Sequence, residues 1–325
     1  MKNTTLRAAV ALLAIISCAW LISACGAAAG SSQSLLEDTF SGHTPIESGN
    51  VNLSFALSAA GRSTATKPLA VSLSGPFENA GAGKLPRFAL QLQLSAAGHP
   101  LSAGATSTGS ALFVQLAGTW FSTPESTYKA LEQGYAQATK TASTAKVRST
   151  FAALGIEPGH WLSNPMQVGT TPIAGVSTVH LTASVNVPAF VADISKLSQA
   201  GGAFGLGSPV PGASIGTGTL SPTVITELAK SIKSAHVDVY TGQDDHLLRR
   251  LEVSATVSGT PQTQGILGGL STTQLEVLLE FTNLNKSQSI AAPSNPQPPS
   301  QLLPALQQLV GVLQAVGGSS SSSVR

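Results

Sequence analysis

Apolar and polar residues alternate over long stretches of this chain. Val51, Leu53, Phe55 and Leu57 alternate with Asn52, Ser54, Ala56 and Ser58. Leu69, Val71 and Leu73 repeat the pattern, as do Phe88, Leu90, Leu92 and Leu94, and then Leu112, Val114 and Leu116. Each run is bounded by Gly, Pro or Asn. A period of two predicts four half-buried strands, and the short loops between them predict antiparallel pairing. From 124 to 139 the period becomes helical. Pro124 suits a first turn, Glu125 sits near the positive end of the dipole, and Tyr128, Leu131 and Tyr135 share a face. A short helix is expected at 151–154, followed by a loop containing Trp161 and Pro165.

A second strand group begins after Gly175. Val179, Leu181, Ala183, Val185 and Val187 alternate with polar residues, and further strands are predicted at 235–241, 247–257 and 274–284. Helices are expected from Pro188 to Leu197 and from Pro222 to Ile232. The Gly-rich stretch 200–219 reads as a surface loop. Residues 291–300, rich in Pro, Ser, Asn and Gln, read as an extended linker. A short apolar helix over 302–316 and a disordered Ser tail complete 291–325. The pattern predicts an α+β domain over 35–290 with abundant apolar sheet surface. Either helices cover that surface fully, or the sheet curls around a cavity that takes a greasy ligand. Parity selects Phe55, Leu57, Leu92, Leu94, Val114, Leu181, Val185, Val239, Leu279 and Phe281 as its lining, though it is ambiguous at 110–116 and 275–281.

The first 24 residues follow neither period. Lys2 and Arg7 precede an uncharged stretch from Ala8 to Ala24, the outline of a secretory signal peptide. Ile22-Ser23-Ala24-Cys25 closes it and resembles the bacterial lipobox, which implies acylation of Cys25. Such a chain is held at the extracytoplasmic face of the cell membrane by its N-terminal lipid (palmitate among the acyl groups). An uncleaved anchor and a released secreted protein are the alternatives. Residues 25–34 then read as a flexible tether, and 34–41 as a short helix with a capping box.

Composition narrows the partners. The other cysteine, Cys18, lies in the signal, so the mature chain holds no disulfide and no Cys-based zinc site. Charged residues make up 10% and apolar ones 42%. Without Lys2 and Arg7 the charges balance, with no basic stripe for nucleic acid and no polybasic cluster for anionic lipid. Apolar or neutral partners are expected, and a monomer.

Candidate chemistry is sparse. Gly212-Ala213-Ser214-Ile215-Gly216 matches a nucleophile elbow but lacks the strand before it and the helix after it. Ser126-Thr127-Tyr128-Lys129 and Ser143-Thr144-Ala145-Lys146 match Ser-x-x-Lys without companion motifs. Asp244-Asp245-His246 offers carboxylates beside a histidine, but its place between two strands reads as a hairpin turn. Arg249 and Arg250 point to opposite sheet faces. No cofactor, no metal site and no enzymatic activity are expected.

The ordered set of elements resembles the LppX/LprG-type bacterial lipoproteins, which share the LolA-like half-barrel. The resemblance rests on the lipobox followed by helix and meander; on Gly175-Val176-Ser177-Thr178-Val179-His180-Leu181-Thr182 with Val187-Pro188-Ala189; and on the stretch from Val237 to Leu251 ending in paired arginines. It covers about 200 residues. It implies a large curled antiparallel sheet with helices on its concave face, an apolar cavity between them, and carriage of an acylated lipid or lipoglycan through the cell envelope, with a lipid exporter as partner. The loop at 200–219 and the helix at 302–316 depart from the family pattern. A tethered structural or sensory domain without ligand is the competing expectation.

Overall fold

The computed structural model describes residues 27–41, 43–59, 69–96, 99–144, 158–193, 222–259, 272–305 and 307. Helix α1 spans Ala27–Ser41. Six strands follow: β1 (Ser48–Ala59), β2 (Leu69–Glu78), β3 (Arg87–Ala96), β4 (His99–Ser107), β5 (Leu112–Leu116) and β6 (Thr119–Ser122). Helix α2 (Glu125–Thr144), the helical turn α3 (Pro158–Trp161), β7 (Leu162–Ile173) and β8 (Val176–Val185) come next. Residues 187–193 form α4. Then come α5 (Pro222–Ser231), β9 (Ile232–Gly242), β10 (Leu248–Ser258) and β11 (Thr272–Thr282).

The strands form one open antiparallel sheet in the order β6-β5-β4-β3-β2-β1-β11-β10-β9-β8-β7. Two meanders therefore meet where β1 pairs with β11. The sheet curls without closing, with helices against one face, as the resemblance led us to expect. Register makes that face continuous. Leu181, Val239, Leu251, Leu279, Leu53, Leu73 and Leu92 stand opposite one another from β8 to β3. A parallel row runs through Ala183, Val237, Val253, Val277, Phe55, Val71, Leu94 and Leu101. The opposite face carries polar rows such as Ser54, Ser72, Gln93 and Ser102.

Several expectations need correction. Residues 27–34 are the first two turns of α1, not a tether. Three consecutive alanines favour helix there, and Ser32 is buried. The first meander has six strands rather than four. β4 escapes the alternation because its positions hold mostly Pro, Ser, Ala, Gly and Thr, and β6 has four residues. The stretch read as a loop around Trp161 and Pro165 is α3 and β7. β7 hides its period behind register shifts between Ser163 and Met166 and between Gln167 and Gly169.

The stretch read as a linker, 291–300, packs on the domain together with residues 285–290 before it. The Asn285 N–H donates to the Ser48 carbonyl at 2.8 Å, and Arg87 Nη2 to the Ile290 carbonyl at 2.9 Å. The Gln297 N–H donates to Trp120, and Ser122 donates to Gln297. This strap covers the β6 edge, where unpaired backbone would otherwise invite other strands. The signal segment, the helix at 151–154, the loop at 200–219 and most of 302–316 lie outside the described residues.

Candidate functional site

All ten residues selected by parity fall on the apolar face, which settles the ambiguity in β5 and β11. They do not share one environment. Leu181 and Val239 have no exposed surface. They belong to a packed cluster with Leu36 and Phe40 of α1, Trp161 of α3, and Phe190 of α4. The Trp161 and Phe190 rings meet edge to face at 5.1 Å. Val185, Leu279 and Phe281 are half-buried against this cluster. Phe281 also meets Phe77 edge to face at 6.3 Å.

A second cluster lies under α2, where Tyr128 packs with Leu85 and Leu112, flanked by Phe88, Leu131 and Tyr135. Burial lifts the Tyr128 phenol above its usual pKa, and Glu132 adds to the effect. Between the two clusters runs a band of apolar side chains on β1 to β5. Phe55, Leu57, Leu92, Leu94 and Val114 sit in this band, half-buried and in neither cluster. Sequence parity finds the face. It cannot separate sealed core from open band, because that depends on where the helices land.

Two open depressions of about 400 and 340 Å³ lie along the sheet, the first lined by Phe55, Val71, Leu94 and Leu101 of the apolar row as well as by Ser72, Gln93 and Ser102. Both reach Ser54 and Ala56, and the second is bordered by Asp238, Glu252 and Glu276. Beside it stands a polar ladder. Asp238 bridges His180 at 2.7 Å and His236 at 3.1 Å. His180 stacks on Tyr240 at 4.3 Å, and Arg250 lies 5.6 Å from the same ring. Arg250 Nε donates to Glu280 at 2.7 Å. Burial opposes the Arg250 charge, but Glu280 and then Glu252 outweigh it and hold the guanidinium above its ordinary pKa. Burial raises the Tyr240 pKa, with help from Glu252 and Asp238. Across strands Asp238 meets His180 and Arg250 meets Glu280, pairs that stabilise the sheet, while Glu252, bonded to Arg250 on its own strand, stands opposite Asp238. Among the described residues, no group of three His, Cys, Asp or Glu is placed to hold a metal ion.

The other motifs have structural tasks. Asp245 accepts the Leu247 N–H at 3.1 Å and pairs with the buried Arg249 at 2.6 Å. His246 takes φ +54° and lies 3.4 Å from Asp38 of α1. The stretch 244–246 is thus a turn that fastens α1 to β9 and β10. Arg249 sits in a bulge, where Leu248 faces Thr241 and Arg250 faces Tyr240. Lys129 of the first Ser-x-x-Lys pairs with Glu125 on an exposed helix face. Lys146 and Ser214 lie outside the described residues.

No protein-family model matches the chain, and no curated protein matches it. Solved structures do. Lipoprotein LppX of Mycobacterium tuberculosis is 14% identical at a TM-score of 0.33, covering 81% of this chain and 99% of its own. LprF from Mycobacterium bovis is 12% identical at 0.39, covering 81% and 97%. A LolA-superfamily protein from Nitrosomonas europaea is 10% identical at 0.18, covering 79% and 94%. These scores lie below 0.5, so ligand and partner are taken from none of them. The open antiparallel sheet with helices over one face is read from the strand order of this chain itself.

Proposed function

We propose that the chain is an extracytoplasmic lipoprotein, acylated at Cys25, that binds an acylated lipid on the apolar band and carries it through the envelope. The supporting observation is the contrast along one sheet face. Leu181 and Val239 are sealed, while Phe55, Leu57, Leu92, Leu94 and Val114 stay half-exposed on the same face. Leaving such side chains in water forgoes about 25 cal/mol for each Å² of apolar surface. An acyl chain laid along the band recovers that energy. A lipid exporter is the partner class this reading requires.

A second reading is a tethered structural domain without ligand. The sealed cluster around Leu181 favours it, since that part of the face is core. Native mass spectrometry of the full chain, purified from membranes in mild detergent, separates the two. A co-purifying acyl species that is lost in Leu94→Trp supports the carrier. A clean apo mass, with no uptake of fluorescent lipid by the parent, establishes the structural reading. The anchor is tested by Cys25→Ala, which should no longer partition into the detergent phase. Unchanged partitioning would make 8–24 an uncleaved helix.

A further inference from the structure

Helix α2 covers only one end of the first meander. It begins beside β6, and a Cβ on Gly83, in the β2–β3 turn, would stand 3.7 Å from Ala136. It therefore crosses the strands at the rim that holds Leu85, Phe88 and Leu112. The rows next to it stay open. Val114, Leu92 and Leu94 are half-exposed there, and Phe55 lies further along the same face. That part of the sheet is also uncharged. No Asp, Glu, Lys or Arg occurs in β1, in β2 before Glu78, in β3 after Arg87, or in β4 to β6.

The strap delivers the C-terminal segment to this place. The Gln297 N–H donates to the Trp120 carbonyl at 2.8 Å, and the Ser122 N–H to the Gln297 carbonyl at 2.9 Å. A 3-10 turn over Pro299–Gln301 packs on β6, and a helix begins at Leu302. α2 and this helix thus start from the same edge of the sheet. Leu302, Leu306, Leu309, Leu313 and Val316 recur at helical spacing and predict a single apolar stripe. The first turn agrees: Leu302, on the stripe, is half-buried, whereas Leu303, off it, is 63% exposed. From Ser287 to Val324 no residue is charged. A helix of this length is marginal in water, and Gly311 weakens it further, so the stripe needs an apolar surface to lie on. The lengths match. Residues 302–316 as a helix would span about 22 Å. From β6 to β1 there are five steps between strands, about 24 Å. Packed helices lie about 8–10 Å apart, which sets a second helix beside α2 and over Val114, Leu92 and Leu94.

We propose that residues 302–316 dock as a helix beside α2, on the band of their own chain, in the place an acyl ligand would take. Segment and acyl chain then compete for one apolar surface, and the empty protein is closed by its own C-terminal segment. The docking needs no ligand; the competition rests on the carrier reading.

The test is photo-cross-linking of the full acylated chain on phosphatidylcholine vesicles. p-Benzoylphenylalanine replaces Leu94 or Val114, and Val168 on β7 as a control. Peptides from 302–316 should be captured within one chain from positions 94 and 114, and not from 168. A pyrene-labelled fatty acid should reduce that adduct about threefold, and Leu306→Asp combined with Leu313→Asp should abolish it and raise pyrene uptake about threefold. No adduct with 302–316 from either position, or adducts only between two copies, overturns the docking. An adduct that bound pyrene probe leaves undiminished overturns the shared site. An adduct in the parent with no pyrene uptake by either chain upholds the docking and overturns the carrier reading.

Discussion

Arg249 Nη2 donates to Asp245 Oδ2 at 2.6 Å, the arginine side chain 7% exposed and the carboxylate 39% exposed. The pair sits where β10 bulges, and Gly242 makes room for it. A Cβ on Gly242 would meet Asp245 Oδ1 at 2.0 Å. Asp245→Asn leaves a buried guanidinium without its anion. A fully buried pair broken this way costs ~3–5 kcal/mol; partial exposure of Asp245 reduces the expected loss to about 2–3 kcal/mol. The double variant Asp245→Asn/Arg249→Met should recover most of it. Urea unfolding measures both, and a single-variant loss under ~0.5 kcal/mol would make the pair an ordinary surface bridge.

Gly75 takes φ +145°, and a Cβ there would meet the Ala89 carbonyl oxygen at 2.0 Å. Gly75→Ala should cost at least about 2 kcal/mol and loosen β2 against β3. Gly134 in α2 is the control, since a methyl group there would have no neighbour within 4 Å. Gly134→Ala should stabilise by roughly 0.5–1 kcal/mol. Similar melting temperatures for the two variants would show that the β2–β3 contact yields.

Tryptophan substitution separates core from band. Leu181→Trp overpacks a sealed site and should lose about 1–3 kcal/mol. Leu94→Trp enlarges a half-exposed side chain and should lose under ~0.5 kcal/mol. Calorimetry on the two variants decides. Equal large losses would show that Leu94 is as tightly packed as Leu181.

The chain has three tyrosines, Tyr128, Tyr135 and Tyr240. Burial is the leading cause of a raised pKa at each. A raised folded-state pKa favours the neutral phenol. It adds stability that is complete below the unfolded pKa, near 10, and is lost as pH rises through the folded values. Phenolate absorbance of the native chain should therefore appear at higher pH than in the urea-unfolded chain. Superimposed titrations would mean that the three rings are solvated.

The alternation shows the strands that carry large side chains, and the parity of Phe55, Leu94, Leu181 and Val239 places them on one face from sequence alone, whereas Leu279 and Val114 needed the register. β4 is invisible to that reasoning because small residues give no contrast between faces. β7 is invisible because two register shifts break its period. The split of the face into core and band depends on α1 and α2 docking, a long-range event without a local signal.

The pairing of β1 with β11 has a consequence in time. Asn50 stands opposite Thr282, so one edge of the first meander waits for nearly the last strand to be made. A chain made N-terminus first emerges with β1 to β6 able to pair among themselves and with β1 unprotected on its outer side. Such distant pairing is slow to form, because loop-closure entropy must be overcome before the contact rewards it. Until β11 arrives, the nascent domain presents a long apolar strand edge. Its folding is then a race between completing the sheet and capture of that edge by a chaperone or by another unfinished copy.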